Sequence, residues 1–171
     1  MSSWGRNNGE QSPKKNWSLE EARGKLETYC SYQERCVWEL RRKLFEKGIQ
    51  GPAVETILAE LEASGFVDEE RFARSYARGK FRIKRWGKGR ISQELKLRQI
   101  SSALIQLGLS EIDGDEYFAT LDREAEKKWE KTKEKDAYKK NYLVTHYLMS
   151  KGFEQDLIQE ALSALVSNEN R

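Results

Sequence analysis

The sequence predicts an all-α protein: an elongated, curved tandem array of three-helix repeats of the solenoid kind. Three observations carry this. Only two prolines, Pro13 and Pro52, occur in 171 residues, so long stretches can be helical without interruption. Hydrophobic content is 37% against 35% charged residues, which suits several thin helical layers better than one large core. Above all, one apolar pattern recurs along the chain.

The recurring segments are "LRRKLFEKGI" (40–49), "ISQELKLRQI" (91–100) and "VTHYLMSKGF" (144–153). Each has an apolar residue, another four later and a third five after that: Leu40, Leu44, Ile49; Ile91, Leu95, Ile100; Val144, Leu148, Phe153. The middle anchors are 51 and 53 residues apart. A four-residue step stacks side chains on one helix face. Gly48 and Gly152 fall where a helix ends in the left-handed conformation, with Ile49 and Phe153 just beyond. Gln99 occupies that place in the middle unit, at a steric cost on the order of 1 kcal/mol, which predicts a less sharp turn.

In chain order, residues 1–17 read as a polar, disordered tail without the apolar core of a signal peptide. A leading helix spans 18–35, with Ser18 and Glu21 at capping-box spacing. The first repeat is placed at 36–86. Its second helix starts at Pro52 and carries Val54, Ile57, Leu58 and Leu61; its third is capped by Asp68 and carries Phe72 and Tyr76. The second repeat, 87–140, follows with Leu104, Ile105, Leu109 and Ile112 behind Ser101 or Ser102. It then has Phe118 and Leu121 on a long charged helix running to about Lys140. A third repeat of two helices occupies 141–171, with Leu157, Ile158, Ala161, Leu162 and Leu165 in its second helix.

Net charge is only +3, yet residues 71–98 hold eleven Lys or Arg and one acid, Glu94. At about 100° per residue, Arg71, Arg74, Arg78, Arg82 and Arg85 share one quadrant, and Phe72, Tyr76 and Ile83 lie on another face. The helix is expected to dock by its aromatic stripe and to present an uncompensated arginine row. The loop "WGKGR" adds Lys88 and Arg90. Arginine forks match phosphate oxygens, and Phe81 or Trp86 is a candidate for stacking on an unpaired base. Residues 111–136 hold ten acids and six bases, and there Glu124 is expected to pair with Lys128 on a solvated face.

Other chemistry is sparse. Cys30 and Cys36 are too few and wrongly spaced for zinc, and read as reduced thiols. His146, the single histidine, sits beside apolar residues and reads as structural. There is no phosphate loop, metal-ligand set or glycine-rich cofactor turn, so no catalytic residue, cofactor or metal is expected. No apolar run is long enough for a membrane span, and a cytoplasmic location follows by default.

"ERCVWELRRKLFEKGI", "ASGFVDEERFARSYARGKFRIKRWGKGRISQEL" and "YLVTHYLMSKGFEQDLIQEAL" together resemble the RecX family of bacterial recombination regulators. The resemblance covers roughly residues 22–165 and is most specific over "GFVDEERFARSY" and "GKGRISQEL". It implies tandem three-helix repeats and no active site or cofactor. It also implies a protein that binds RecA in the groove of the RecA–DNA filament, contacts DNA, and lowers ATP hydrolysis, strand exchange and co-protease activity. Gln99 stands where that family has Gly, and Cys36 where it has a capping Ser. The alternative reading is a sequence-specific DNA-binding protein of helix-turn-helix type, with turns at "EKGIQGP" or "SKGFEQD". Against it, the second helices ("AVETILAELEAS") are apolar and acidic.

Overall fold

The computed structural model describes residues 15–170; the tail expected at 1–17 lies almost wholly outside them. The described residues form helices and connecting turns, without strands. The helices are α1 (Leu19–Tyr32), α2 (Val37–Glu46), α3 (Pro52–Ala63), α4 (Glu69–Lys84), α5 (Lys88–Leu97), α6 (Ser102–Leu109), α7 (Gly114–Lys131), α8 (Ala137–Ser150) and α9 (Gln155–Glu169). The chain divides into two compact units between Val67 and Asp68.

Local chemistry starts these helices where the side chains dictate. Ser18 Oγ accepts from the Glu21 amide at 3.2 Å, and Glu21 returns the contact to the Ser18 amide at 3.5 Å. Asp68, Ser101, Asp113 and Asp136 cap α4, α6, α7 and α8 in the same way, each accepting from the amide three residues on. Pro52 opens α3. At the start of α2 the Glu39 carboxylate accepts from the Cys36 amide at 3.4 Å.

The three anchor sets are buried. In each, the amide of the third anchor donates to the carbonyl of the second: Ile49 to Leu44 at 2.9 Å, Ile100 to Leu95 at 3.1 Å, Phe153 to Leu148 at 3.2 Å. Gly48 and Gly152 are left-handed as expected, with φ of 81° and 98°. The middle turn is not relaxed. Gln99 itself adopts φ 60°, because burying Ile100 and closing the same bond requires that conformation.

The phase of the repeat differs from the sequence expectation by one helix. In the first unit, α1 and α2 both pack on α3. Leu26, Leu40, Leu44, Ile57, Leu58 and Leu61 centre its core. In the second unit, α4 packs on α5 and α6, and α7, α8 and α9 pack on one another. The boundaries at 36, 87 and 141 therefore cut through packed groups. The helix opened by Asp68 leads the second triplet instead of closing the first. Its buried face explains this: Ala73 and Ala77 are fully buried, and a Cβ on Gly108 of α6 would come within 2.7 Å of the Ala73 carbonyl oxygen. That close approach turns Phe81 inward and leaves Ile83 77% exposed, off the stripe where it was expected.

The long helix expected to reach Lys140 ends at Lys131, because Asp136 caps a new helix. That helix, α8, carries the repeat anchors Val144 and Leu148. Phe118 is half exposed, and Tyr117 takes the buried place beside Leu121.

Within the second unit, the α4–α5 turn docks on the α8–α9 turn through backbone. The Gly87 amide donates to the Lys151 carbonyl at 2.7 Å, and the Gly89 amide to the Gly152 carbonyl at 3.0 Å. Tyr117 lies beneath this junction, its ring 5.8 Å from Phe81 and 5.4 Å from Phe153. Its hydroxyl accepts from the Lys88 amide at 3.1 Å and donates to Glu154 at 2.6 Å. Burial, then the Glu154 hydrogen bond, hold that phenol well above the ordinary tyrosine range.

Candidate nucleic-acid interface

The arginine row of α4 is present, but it is not uncompensated. Arg74 bonds Glu70 one turn back at 2.9 Å and Glu111, beyond the end of α6, at 2.8 Å. Arg78 bonds the other oxygen of Glu111 at 3.1 Å. The two guanidinium groups, Arg74 first, hold the Glu111 carboxyl below its ordinary range. Arg71 and Arg82 are exposed. Arg85 leaves the row altogether. It caps α4 in the left-handed conformation (φ 54°) and its Nε lies 3.4 Å from Glu124. Sequence spacing placed these arginines on one face, while Glu111 and Glu124 come from 33 and 39 residues further along the chain.

Glu124 is also not the solvated partner of Lys128. It is buried, and bonds Lys151 at 3.1 Å. Lys128 lies instead over the Tyr147 ring, 4.6 Å from its centroid.

Of the two stacking candidates, Phe81 is corrected: it is 3% exposed and packs on Tyr117, so no base reaches it. Trp86 is half buried and becomes the centre of a different array. The left-handed Arg85 folds the chain back, so that the Trp86 amide donates to the Lys80 carbonyl at 3.2 Å. The Lys80 ammonium then lies 5.1 Å from the Trp86 centroid and 5.3 Å from that of Tyr76. Arg90 covers Trp86 at 4.2 Å, and Arg98 covers Tyr76 at 5.0 Å. A ladder results, Arg98–Tyr76–Lys80–Trp86–Arg90, running across α4 and α5. Attraction between a cation and a ring face holds each rung.

Arg98 is engaged by Glu94 at 3.0 Å. Among the described residues, no carboxylate pairs with Lys80, Arg82, Lys84, Lys88 or Arg90. Lys88 lies over the Tyr117 ring at 4.9 Å, and Arg90 donates to the Ser150 carbonyl at 3.4 Å. The uncompensated charge is thus shifted from the middle of α4 to its C-terminal end and the start of α5. Arg82, Lys88 and Arg90 of the sequence set remain; Lys80, Lys84, Tyr76 and Arg98 were missed. The four-residue steps Tyr76–Lys80 and Trp86–Arg90 were visible in the sequence, but the meeting of Tyr76 with Arg98 depends on α4–α5 packing.

Arrays of this kind offer phosphate-matching donors beside flat rings. Other chemistry is not assembled here. Among the described residues no cluster of His, Cys, Asp and Glu could hold a metal. His146 is exposed, edge-on to Tyr142 at 6.0 Å. Cys36 is buried and Cys30 half-buried. No helix among the described residues is long and apolar enough to cross a membrane.

Fold and site together define the class: an all-helical protein of tandem three-helix domains, with cations laid over aromatic rings on its second domain. Family models describe the same triplets. The first three-helix domain of RecX matches residues 22–61, the second 68–109 and the third 115–162. The chain is 31% identical over 133 residues to the regulatory protein RecX of Clostridium perfringens (strain SM101 / Type A), covering 77% of this chain and 62% of that protein. It is 31% identical over 128 residues to that of Pelodictyon phaeoclathratiforme, covering 75% and 78%. It is 36% identical over 140 residues to that of Enterococcus faecalis, covering 80% and 52%. Two crystal structures share the fold. A regulatory protein RecX has TM-score 0.76 and 23% identity over 85% of this chain and 71% of its own. RecX from Lactobacillus salivarius has TM-score 0.73 and 21% identity over 86% and 96%. The chain belongs to the RecX family.

Proposed function

We propose that this protein regulates RecA in the cytoplasm by binding the groove of the RecA–DNA filament. It lowers ATP hydrolysis, strand exchange and co-protease activity, with no catalytic group or cofactor of its own. Family membership supplies the regulatory class. The observation that supports a polyanionic assembly as target is the group Lys80, Arg82, Lys84, Lys88 and Arg90, which no carboxylate compensates among the described residues. Binding shifts the filament between states by its preference for one of them, and its affinity falls with salt as phosphate counterions are released. Specific reading of a DNA site is less well supported. Val54, Ile57, Leu58 and Leu61 of α3 are buried, and Glu55, Glu60 and Glu62 are among its exposed positions.

The deciding experiment is RecA ATPase on single-stranded DNA with this protein titrated in. A fall at substoichiometric ratios is expected. An unchanged rate at stoichiometric excess sinks the proposal, and protection of one fixed duplex site would favour the alternative.

A further inference from the structure

The chemistry of the ladder recurs in the first unit, where sequence charge gave no sign of it. Trp17 sits under two ammonium groups, Lys25 at 5.8 Å and Lys47 at 5.7 Å. Tyr29 sits under the Arg35 guanidinium at 3.8 Å and the Lys43 ammonium at 5.1 Å. Both rings rest against the core of the unit, so their positions are fixed from below. Trp17, Tyr29, Lys25, Arg35 and Lys43 line one open groove of about 870 Å³, and Tyr32 stands at its edge, 88% exposed.

The charges of this unit are sorted. Arg23 is paired with Glu27 and Glu60, and Arg41 with Glu55. Lys25, Arg35, Lys43 and Lys47 have no carboxylate partner among the described residues. Glu20 and Glu21 also border the groove, and Glu21 is committed to the Ser18 cap. Arg23 and Arg41 are thus neutralised by carboxylates and Arg42 lies over the Trp38 ring at 4.7 Å, while Lys25, Arg35, Lys43 and Lys47 are left over Trp17 and Tyr29.

We propose that this groove is a second contact site for single-stranded nucleic acid. Phosphates take Lys25, Arg35, Lys43 and Lys47, and an unpaired base stacks on Tyr32. Phosphate-matching donors beside flat rings suit a single strand because every base has a π-face. An acidic polypeptide would meet the cations but would leave the Tyr32 ring uncovered. A duplex hides the faces of its bases and has only its phosphates to offer. The site is read from the first unit alone and does not depend on the action proposed on RecA.

The test is fluorescence anisotropy of a labelled oligothymidylate, and of a duplex of equal length, with the full chain and no RecA present. Lys25 and Tyr32 are exposed, so Lys25→Glu and Tyr32→Ala leave the fold intact, as circular dichroism would check. Tyr32→Ala is expected to weaken oligothymidylate binding at least about fivefold, the loss of one stacked base, and to leave duplex binding unchanged. Lys25→Glu is expected to weaken both and to lower the salt dependence of single-strand binding by about 0.7 or more in log–log slope. If both variants bind oligothymidylate like the parent while Lys80→Glu/Arg90→Glu does not, the inference fails and the second-unit interface stands. If Lys25→Glu instead abolishes binding of polyglutamate and leaves oligothymidylate untouched, the groove takes acidic protein and the inference is overturned.

Discussion

The guanidinium carbon of Arg90, in the first turn of α5, lies 4.2 Å from the centre of the ring of Trp86, which precedes that helix. Lys80 approaches the same indole from α4 at 5.1 Å, so cations from two helices converge on one ring. Reversing both charges, Lys80→Glu with Arg90→Glu, is expected to weaken inhibition of the RecA ATPase at least tenfold. The log–log salt slope of DNA binding should fall by about 1.4 to 1.8, the share of two lost cations. Titrations at several salt concentrations measure both. Reversing Arg74 or Arg78 is a poorer test, because it would set acid against Glu111.

Glu111 holds Arg74 and Arg78 together, and its carboxyl titrates below the ordinary value of 4.5. The folded state therefore binds a proton less readily than the unfolded chain. Stability from this pairing is fully present above the ordinary glutamate pKa, and is lost as pH falls through the lower folded value. Glu111→Gln removes that dependence. Urea midpoints at pH 6 and pH 3 should differ less in the variant than in the parent; equal differences would show that Glu111 does not link folding to pH.

A Cβ at Gly87 would lie 2.3 Å from the Gly152 carbonyl carbon and oxygen, and one at Gly152 would lie 2.4 Å from the Arg90 amide nitrogen. Neither neighbour is a flexible side-chain tip that could give way. Gly87→Ala is expected to destabilise the second unit by about 2–3 kcal/mol, the scale of overpacking a close contact. Gly152→Ala adds strain at φ 98° and should cost more. Hydrogen exchange should show the Gly87 and Gly89 amides losing protection first. Unchanged protection would show that backbone docking does not hold these turns together.

Gln99 repeats, with a side chain, the turn that Gly48 and Gly152 make without one. Gln99→Gly relieves the left-handed strain and should raise stability by about 1 kcal/mol, a little less if the unfolded chain gains freedom. Thermal denaturation checks the sign: a lower melting temperature would mean that the Gln99 side chain contributes more than its backbone costs.

The helical class, the apolar anchors and the caps at Ser18, Asp68 and Ser101 were legible in the sequence. Each depends on residues within about five positions of one another, so local spacing decides it. The basic segment was legible as composition, and the family from ordered motifs such as "GFVDEERFARSY". Which arginines remain uncompensated was decided by the tertiary structure, because charge cancels between side chains that fold together. Glu111 reaches Arg74 and Arg78, and Glu124 reaches Arg85, only after α6 and α7 have packed. The phase of the repeat was decided there too, since a helix opened by Asp68 can pack forward or backward until Gly108 admits Ala73. The cation–ring ladder follows from the same packing: periodicity records which residues share a face, and helix packing determines what that face meets.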